Sequence, residues 1–416
     1  MANLSISGDF NFLNAPISLG EFSYDRVRGT GVYSIELSKA WLSDFASIKI
    51  SSDVGNYSGK QYKTAKIFRF LSDAMPDRWG RKLIDKRERL AAGEEHRVPA
   101  VFDDYDYLIR LDDYSRMGAL RFASLGETIG EDTSGLQVPP LTSLRELISV
   151  AEEYEKSERD GTPLHREWVE NLFRQGSSLG GARPKANVRD EDGNLCIAKI
   201  PSIHDDYDIA LWQHFAHQLA KEAGIESADT RLLKLDGIKY HTLLSKRFDR
   251  VADKRIHYAS AMTLCGLDDG DDASTGHGYP DIAEMMLGEN GINNPEANLK
   301  ELYRRIAFNI LVGNHDDHFR NHGFLLTKTG WTLSPAFDLN PDNYLTQSLL
   351  ISADSNDSSL HKLLEASSMY LLSRSDAETI ITEVREAVKS WRSVAFKCKI
   401  GKEEQNRFAK RLSLFL

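Results

Sequence analysis

The chain lacks several features that mark large classes of protein. No apolar stretch approaches the roughly 18 residues needed to cross a bilayer, so no membrane span is expected. Its three cysteines, Cys196, Cys265 and Cys398, are far apart, which argues against a disulfide scaffold or a zinc ribbon and suits a reducing compartment. The first residues contain no basic segment followed by an apolar run, so no secretory signal is expected. A cytoplasmic location is the prediction.

Basic residues are also fewer than acidic ones, with 52 Lys and Arg against 62 Asp and Glu. The formal net charge is -10, and direct binding to nucleic acid would therefore need a local basic patch. The 416 residues exceed one compact domain, so two or three domains are expected, and 41% hydrophobic residues suffice for sizeable cores.

The first 125 residues mix strand and helix patterns. Apolar residues alternate at 31–37 and 46–50, which predicts half-buried strands. Residues 67–90 have helical periodicity that is interrupted near Pro76. Residues 126–140 are rich in Gly, Ser, Thr and acidic side chains and end in two prolines, so they are predicted to be a linker.

The order of patterns after the linker is typical of a kinase, with a small β-rich lobe before a helical lobe. The predicted elements are helices at 141–154 and 166–174, strands at 185–188 and 195–200, a helix at 208–223, strands at 231–235 and 238–244 joined by Asp236-Gly237, a helix at 294–312, and helices near 357–372, 375–395 and 401–415. We predict an α+β fold with an N-terminal α/β subdomain and a two-lobed protein-kinase-like domain whose C-terminal lobe is mostly helical. The predicted domains are residues 1–125, the linker 126–140, the N-lobe-like region 141–250 and the C-lobe 251–416.

One segment carries most of the chemical information. Asp316 precedes Asn321 by five positions, a short predicted hairpin spans residues 323–334, and Asp338 follows it. Antiparallel pairing brings the two ends of a hairpin together, so Asn321 and Asp338 are expected side by side. Kinases use such an Asp to orient a hydroxyl, and hard oxygens of Asn and Asp to hold magnesium on ATP.

The same segment also contains His315, His318 and His322, which leaves a His-based metal hydrolase open as a rival. Such sites recruit more His and Asp ligands from elsewhere, and no second His-rich cluster follows in the sequence. His318 is expected to pack and hydrogen-bond under the loop.

Lys199 lies in an apolar strand, where burial of its charge is costly unless an anion meets it. A nucleotide phosphate is the obvious anion, and a surface-reaching edge lysine is the alternative. Gly180 and Gly181 would let the backbone approach phosphates closely, with Lys185 as a second contact. Backbone groups near Lys246 could hydrogen-bond adenine.

These motifs together resemble the HipA family, the serine/threonine-kinase toxins of bacterial toxin–antitoxin pairs. In the N-terminal part, residues 75–81 and 116–122 resemble stretches of the family's N-terminal subdomain. In the kinase part, the resemblance is carried by residues 178–185, 198–201, 246–250, 313–321 and 333–338.

The resemblance implies a role for each matching residue. Asp316 would be the catalytic Asp, Asn321 and Asp338 would hold Mg²⁺, and Ser178 would be a candidate for autophosphorylation, where phosphate would clash with ATP and silence the kinase. The implied ATP contacts are Gly180, Gly181, Ala182, Arg183, Pro184, Lys185, Lys199, Lys246, Arg247, Phe248, His318, Phe319, Arg320, Asn321, Phe337 and Asp338.

The resemblance also implies a function. The chain would transfer the γ-phosphate of ATP to a protein hydroxyl, an aminoacyl-tRNA synthetase being one known kind of target, and would cause growth arrest or persistence. A small HipB-like DNA-binding antitoxin would neutralise it and connect it to DNA indirectly.

Gln213 departs from the pattern, since many relatives have Glu in this helix. An amide cannot form the usual ion pair with Lys199, although Asp208 is close enough in sequence to substitute. Lys246 also stands where some members have an acidic residue. Two alternatives therefore stay open: a catalytically weak kinase-like scaffold that binds an antitoxin–DNA complex, and a small-molecule phosphotransferase.

Overall fold

A computed structural model describes residues 2–127, 138–162, 183–252 and 254–414. The chain divides into two compact units, the first formed by Met1–Tyr207 and Leu233–Tyr258 and the second by Asp208–Leu232 and Ala259–Leu416. Across the described ranges, no helix is both long enough and apolar enough to pass through a bilayer.

The first unit begins with an antiparallel five-stranded sheet in the order β4-β3-β2-β1-β5. Its strands are β1 (Ala2–Gly8), β2 (Ile17–Val27), β3 (Thr30–Leu37), β4 (Lys60–Thr64) and β5 (Leu120–Ser124). The helices between them are Lys39–Asp44, Arg69–Ser72, Arg78–Glu94 and Asp104–Ile109. The predicted strand at 31–37 and the predicted helix interrupted near Pro76 are both confirmed.

The predicted strand at 46–50 is wrong. Ile48 and Ile50 are buried, which explains the apolar alternation, but the segment runs through turns. The side-chain amide of Asn56 donates to the carbonyl oxygens of Ala46 (2.8 Å) and Ile48 (3.0 Å). Those carbonyls are therefore satisfied locally, without a neighbouring strand.

A second antiparallel sheet contains β6 (Lys185–Arg189), β7 (Leu195–Lys199) and β9 (Thr242–Lys246), with β7 in the middle. The helix Arg78–Glu94 and the helix Leu144–Asp160, which follows a 3₁₀ turn at Leu141–Ser143, contribute to the same core. The core residues that these elements share include Trp79, Leu83, Leu147, Ile148, Val188, Ala198 and Leu244. Trp79 also donates from Nε1 to the carbonyl of Lys185 (3.2 Å), which ties this helix to β6.

The predicted turn at Asp236-Gly237 forms, but the strands before and after it do not extend up to the turn. The observed strands are β8 (Thr230–Leu233), at the point where the chain passes between the units, and β9. Gly237 has φ 80, and the Ile238 N–H donates to Leu235 O at 3.1 Å. A local turn is therefore followed by irregular chain before β9 begins.

A buried ion cluster follows β9. Asp249 is fully buried and accepts from Arg247 (Nη2, 2.6 Å), Arg250 (Nη1, 2.6 Å) and the backbone N–H of Gly118 (2.8 Å). Burial alone would raise the pKa of Asp249, but the charges of the two arginines and these hydrogen bonds hold it well below its usual range. Arg247 also donates to Ser115 O (2.7 Å), so the cluster joins residues 115–118 to the chain after β9.

Short paired strands complete the first unit, β10 (Arg250–Val251) and β11 (Lys254–Arg255), and β12 (Tyr258–Ser260) lies at the passage into the second unit. The predicted helix at 166–174 lies outside the described residues. So does most of the predicted linker, and the predicted domain bounds stay a prediction.

The second unit is mostly helical. Its helices are Ile209–Glu222, Ala261–Cys265, Tyr279–Leu287, Pro295–Val312, Leu360–Glu365, Arg374–Lys389, Trp391–Lys397 and Lys402–Leu412, with 3₁₀ turns at Ala273–Thr275, Phe319–Asn321 and Ser367–Tyr370. The hairpin of β13 (Gly323–Thr327) and β14 (Gly330–Leu333) forms as predicted. The helix predicted at 375–395 is divided in two at Ser390.

Helix Pro295–Val312 is the centre of this unit. Twelve of its side chains are buried, including Tyr303 and Phe308, both with no exposed surface. A helix that is buried on most sides can hold its C-terminal end, and the loop that follows, in a fixed place.

We expect the buried ion cluster to stabilise the first unit. Asp249→Ala would leave Arg247 and Arg250 buried without their carboxylate, and removal of one partner of a buried pair costs about 3–5 kcal/mol of unfolding free energy. Thermal and urea unfolding, followed by circular dichroism, measure the loss.

The matched control is Glu153→Ala, which removes the half-exposed partner of Lys156 and is expected to change stability by less than about 1 kcal/mol. Equal stability of the Asp249→Ala variant and the control would contradict a stabilising role for the cluster.

Candidate active site

The loop that contains Asp316 starts from a fixed point. Helix Pro295–Val312 ends at Gly313, which has φ 75. A Cβ atom there would lie 2.2 Å from Asp342 O, and the Asp342 N–H donates to Gly313 O at 2.9 Å. Only glycine fits both the backbone angle and the space, so the helix end and the chain at residue 342 are held against each other.

Asn321 is bonded directly to the backbone of the residue expected to be catalytic. Its Nδ2 donates to Asp316 O at 3.0 Å, and its own N–H donates to His318 O at 2.8 Å within the 3₁₀ turn. Because the side-chain nitrogen faces the loop, the side-chain oxygen is the atom suited to a cation.

Asp317, which the sequence reasoning did not single out, anchors the loop. It is 3% exposed, and its Oδ2 accepts from Tyr279 Oη (2.6 Å), Asn309 Nδ2 (2.7 Å) and His322 Nε2 (2.8 Å). Burial opposes its ionisation, but His322 and these hydrogen bonds hold the pKa of Asp317 below its usual value. The neighbouring Asp316 is thereby turned to the surface.

Asp316 has the opposite electrostatic setting. Although its side chain reaches the surface, partial burial raises the pKa of its carboxyl group, and the negative charge of Asp338 acts in the same direction. His318 and His315 oppose this shift. A carboxylate with a raised pKa is a better proton acceptor.

The segment after the hairpin is held from several sides. The Ser334 N–H donates to Gly323 O (2.8 Å), which closes the hairpin, and the Leu333 N–H donates to Asn298 Oδ1 (2.7 Å). Arg305 Nη2 donates to Ser334 O at 2.9 Å. Ala336 forms a parallel bridge with Ser227. Residues 333–336 are thus fixed to the central helix and to the chain near residue 227.

Asp338 lies at the end of this segment in a left-handed backbone conformation, with φ 57. Its Oδ1 accepts from Gln213 Nε2 at 2.8 Å and from Asn340 Nδ2 at 3.0 Å. Non-glycine residues with positive φ are uncommon and cluster at functional sites. The conformation is maintained here by hydrogen bonds to two different parts of the chain.

Hydrogen bonds of three asparagines connect the two acidic segments. The Asn340 N–H donates to Asn314 Oδ1 (3.0 Å), and Asn314 Nδ2 donates to Asn309 Oδ1 (3.1 Å). Asn309 in turn donates to Asp317. The loop of Asp316 and the segment of Asp338 are therefore parts of one hydrogen-bond network.

The remaining predicted residues of the second unit have mixed settings. Phe319 is buried, and Arg320 Nε lies 3.4 Å from Asp269 Oδ1. His318 is the N-cap residue of the 3₁₀ turn, and Phe337 is partly buried.

Lys185 and Lys199 lie directly opposite each other on paired strands of the first unit. Lys185 is 8% exposed, and Lys199 is partly buried. Like charges at opposite positions of a sheet repel, so an anion bound between them would relieve the repulsion.

The other predicted residues of the first unit have protein partners. Arg183 donates to Asp205 (2.5 Å), and Pro184 O accepts from Ile200. Arg247 is 3% exposed, and its N–H donates to Leu195 O, so it is a structural residue of the ion cluster.

Lys246 is exposed and Phe248 is partly buried, with the Phe248 ring centroid 6.2 Å from that of Tyr258. Ser178, Gly180, Gly181 and Ala182 lie outside the described residues.

Asp338 and Asn321 carry a carboxylate and an amide oxygen, which are donor types that a hard cation such as Mg²⁺ prefers. Two of the three histidines of the rival hypothesis have other partners: His315 Nδ1 is 2.7 Å from Thr346 O, and His322 bonds to Asp317. In the part of the chain that the structure describes, no three His, Cys, Asp or Glu side chains cluster as metal ligands.

Sequence reasoning missed the residues that support the acids, namely Asp317, Asn309, Asn314, Asn340 and the contact of Gln213. A signal was present, because Asn309, Asn314, Asn321 and Asn340 lie within the two acidic motifs or close to them. Their partners are distant in sequence and could not be assigned without coordinates.

A family model described as the HipA-like C-terminal domain matches residues 177–391. A curated relative from Haemophilus influenzae is 28% identical over 184 residues, which are 39% of this chain and 52% of the relative. The serine/threonine-protein kinase toxin HipA of Shewanella oneidensis is 24% identical over 185 residues, which are 39% of this chain and 42% of that protein. The chain thus spans about half or less of the length of these relatives.

A solved complex of HipA with HipB and operator DNA from Shewanella oneidensis contains a chain of the same fold. The TM-score is 0.69 at 18% identity, and the match covers 99% of this chain and 95% of that chain. This likeness confirms the predicted α+β, kinase-like fold. Since the family model covers more than half of the sequence, the chain belongs to the HipA family.

Proposed function

We propose that this chain is an ATP- and Mg²⁺-dependent protein kinase that phosphorylates a serine or threonine hydroxyl. The observation that supports the proposal is the hydrogen-bond network from Asp317, the neighbour of Asp316, to Asp338, in a loop where Asn321 bonds to the Asp316 carbonyl. Phosphoryl transfer needs reactants in position and developing charge neutralised, and these residues have the chemistry for both tasks.

In the proposed reaction, the hydroxyl oxygen of the substrate forms a bond to the γ-phosphorus, and the bond from that phosphorus to the β-phosphate oxygen of ADP breaks. The hydroxyl proton passes to Asp316 Oδ. Mg²⁺, when bound, would neutralise phosphate charge, and the oxygens of Asn321 and Asp338 would hold it. Lys199 and Lys185 would meet the phosphates.

The finer assignments rest on the family. We propose a toxin-type kinase of the cytoplasm whose partner is a HipB-like DNA-binding antitoxin, with DNA reached only through that partner. Autophosphorylation at Ser178 and an aminoacyl-tRNA synthetase as target belong to the same proposal. The HipB and operator DNA in the matched complex support the choice of partner.

Loss of the Asp316 carboxylate is expected to slow transfer strongly. Asp316→Asn keeps the side-chain shape but cannot accept the proton, so the rate should fall about 100- to 10,000-fold. The measurement is transfer of labelled γ-phosphate from ATP to the protein itself and to a cell extract.

Asp354→Asn makes the same chemical change at an exposed carboxylate of the same unit and should retain wild-type transfer. Wild-type transfer by Asp316→Asn would refute the assignment of Asp316.

Loss of the Asp338 charge is expected to weaken metal-dependent nucleotide binding. Asn tolerates positive φ, so Asp338→Asn should preserve the backbone while removing the anionic ligand. The Mg²⁺ concentration that gives half-maximal binding of a non-hydrolysable ATP analogue should rise more than about 100-fold, beyond the usual effect of a supporting residue.

Calorimetry over a series of Mg²⁺ concentrations measures this shift, again with Asp354→Asn as the control. If the wild-type chain binds no ATP analogue at any Mg²⁺ concentration, the kinase-like scaffold is the better reading.

A further inference from the structure

Gln213, one of two positions that the sequence analysis set apart, is buried in contact with a residue of the candidate site. The side chain is 2% exposed, on helix Ile209–Glu222. Asp208, considered from the sequence as a substitute for the missing Glu, caps this helix instead, since its Oδ1 accepts from the Leu211 N–H at 3.1 Å.

The direction of the Gln213 side chain is fixed by its neighbour in sequence. Trp212 packs edge-on against Phe408, with ring centroids 4.6 Å apart, and its Nε1 donates to Glu404 at 3.1 Å. These contacts fix the rotation of the helix about its own axis. Gln213 consequently faces Asp338, and its Nε2 lies 2.8 Å from Asp338 Oδ1.

The chemistry of this contact requires a hydrogen-bond donor. An ionised carboxylate such as that of Asp338 only accepts hydrogen bonds, so its partner must be a hydrogen-bond donor. The amide of a glutamine donates a hydrogen bond without adding charge, whereas an ionised glutamate at the same distance would place two negative oxygens together. A hydrogen bond from a donor to an ionised carboxylate is also stronger than one between neutral groups.

Two donors from different elements meet at one oxygen. Gln213 reaches Asp338 Oδ1 from helix Ile209–Glu222, and Asn340 reaches it from two residues further along the chain. Two hydrogen bonds to a single oxygen fix the rotation of the carboxylate. Supporting donors of this kind orient the ligands of metal sites and raise metal affinity.

We propose that Gln213 is a positioning residue, which orients the carboxylate of Asp338 for the divalent cation that accompanies a nucleoside triphosphate. This inference rests on the proposed function. It assigns to Gln213 a task that does not need an ion pair with Lys199.

The test is metal-dependent nucleotide binding by the full chain. Gln213→Met keeps the length of the side chain and removes the donor. The Mg²⁺ concentration for half-maximal binding of a non-hydrolysable ATP analogue should rise about 10- to 100-fold. Affinity for the same analogue without Mg²⁺ should be unchanged, and this difference separates a positioning role from general damage to the site.

The matched control is Gln218→Met, on the same helix, where the glutamine lines a surface cavity with His214, Lys221 and Val394. It should bind like wild type. Gln213→Asn keeps an amide on a shorter side chain and should lie between wild type and Gln213→Met. Should Gln213→Met fail to fold, as judged by circular dichroism, the Gln213→Asn shift alone decides.

Wild-type Mg²⁺ dependence in Gln213→Met would overturn the inference and leave the proposed function intact. An equal loss of affinity with and without Mg²⁺ would also overturn it, because a structural role would suffice. Absence of Mg²⁺-dependent binding in the wild-type chain would overturn the proposed function, and this inference with it.

Discussion

The geometry of the candidate site depends on hydrogen bonds between side-chain amides and acids. Asn309, Asn314 and Asn340 connect buried Asp317 to Asp338, and so connect the loop of Asp316 to the segment after the hairpin. Asn309, Asn314 and Asp317 are buried, and an unmade hydrogen bond there would cost the full desolvation of the group. The network therefore specifies one arrangement of the two segments, and catalysis by positioning needs such an arrangement.

In the first unit, a buried cluster of charged side chains holds distant segments together. Asp249 accepts from Arg247, Arg250 and Gly118, so residues far apart in sequence converge on one buried carboxylate. A buried ion cluster is costly unless every member is paired. Residues 246–248, which were expected from the sequence to contact the nucleotide, thus belong to or flank a structural cluster, and Lys246 is the exposed residue among them.

Local patterns predicted most of the elements. The hairpin at Gly323–Thr327 and Gly330–Leu333 and the long helix before Gly313 follow from alternation, periodicity and a glycine cap, and all of these signals are local. The strand predicted at 46–50 failed because Asn56, a side chain outside the window, satisfies its carbonyls. The contact between Gln213 and Asp338 was also missed because it is not local. The two residues are 125 positions apart, and neither local sequence predicts the contact.

The choice of amides has a consequence for the behaviour of the molecule in solution. Carboxamides do not titrate between acid and alkaline conditions, so the bonds of Asn309, Asn314, Asn340 and Gln213 keep their donors and acceptors as proton concentration changes. Of the groups bonded to these amides, Asp317 has a pKa held below its usual value, and Tyr279 has a pKa raised well above its usual value. The hydrogen bonds around Asp316 and Asp338 should thus persist over a wide range of pH, and acid sensitivity is confined to the few groups that carry charge.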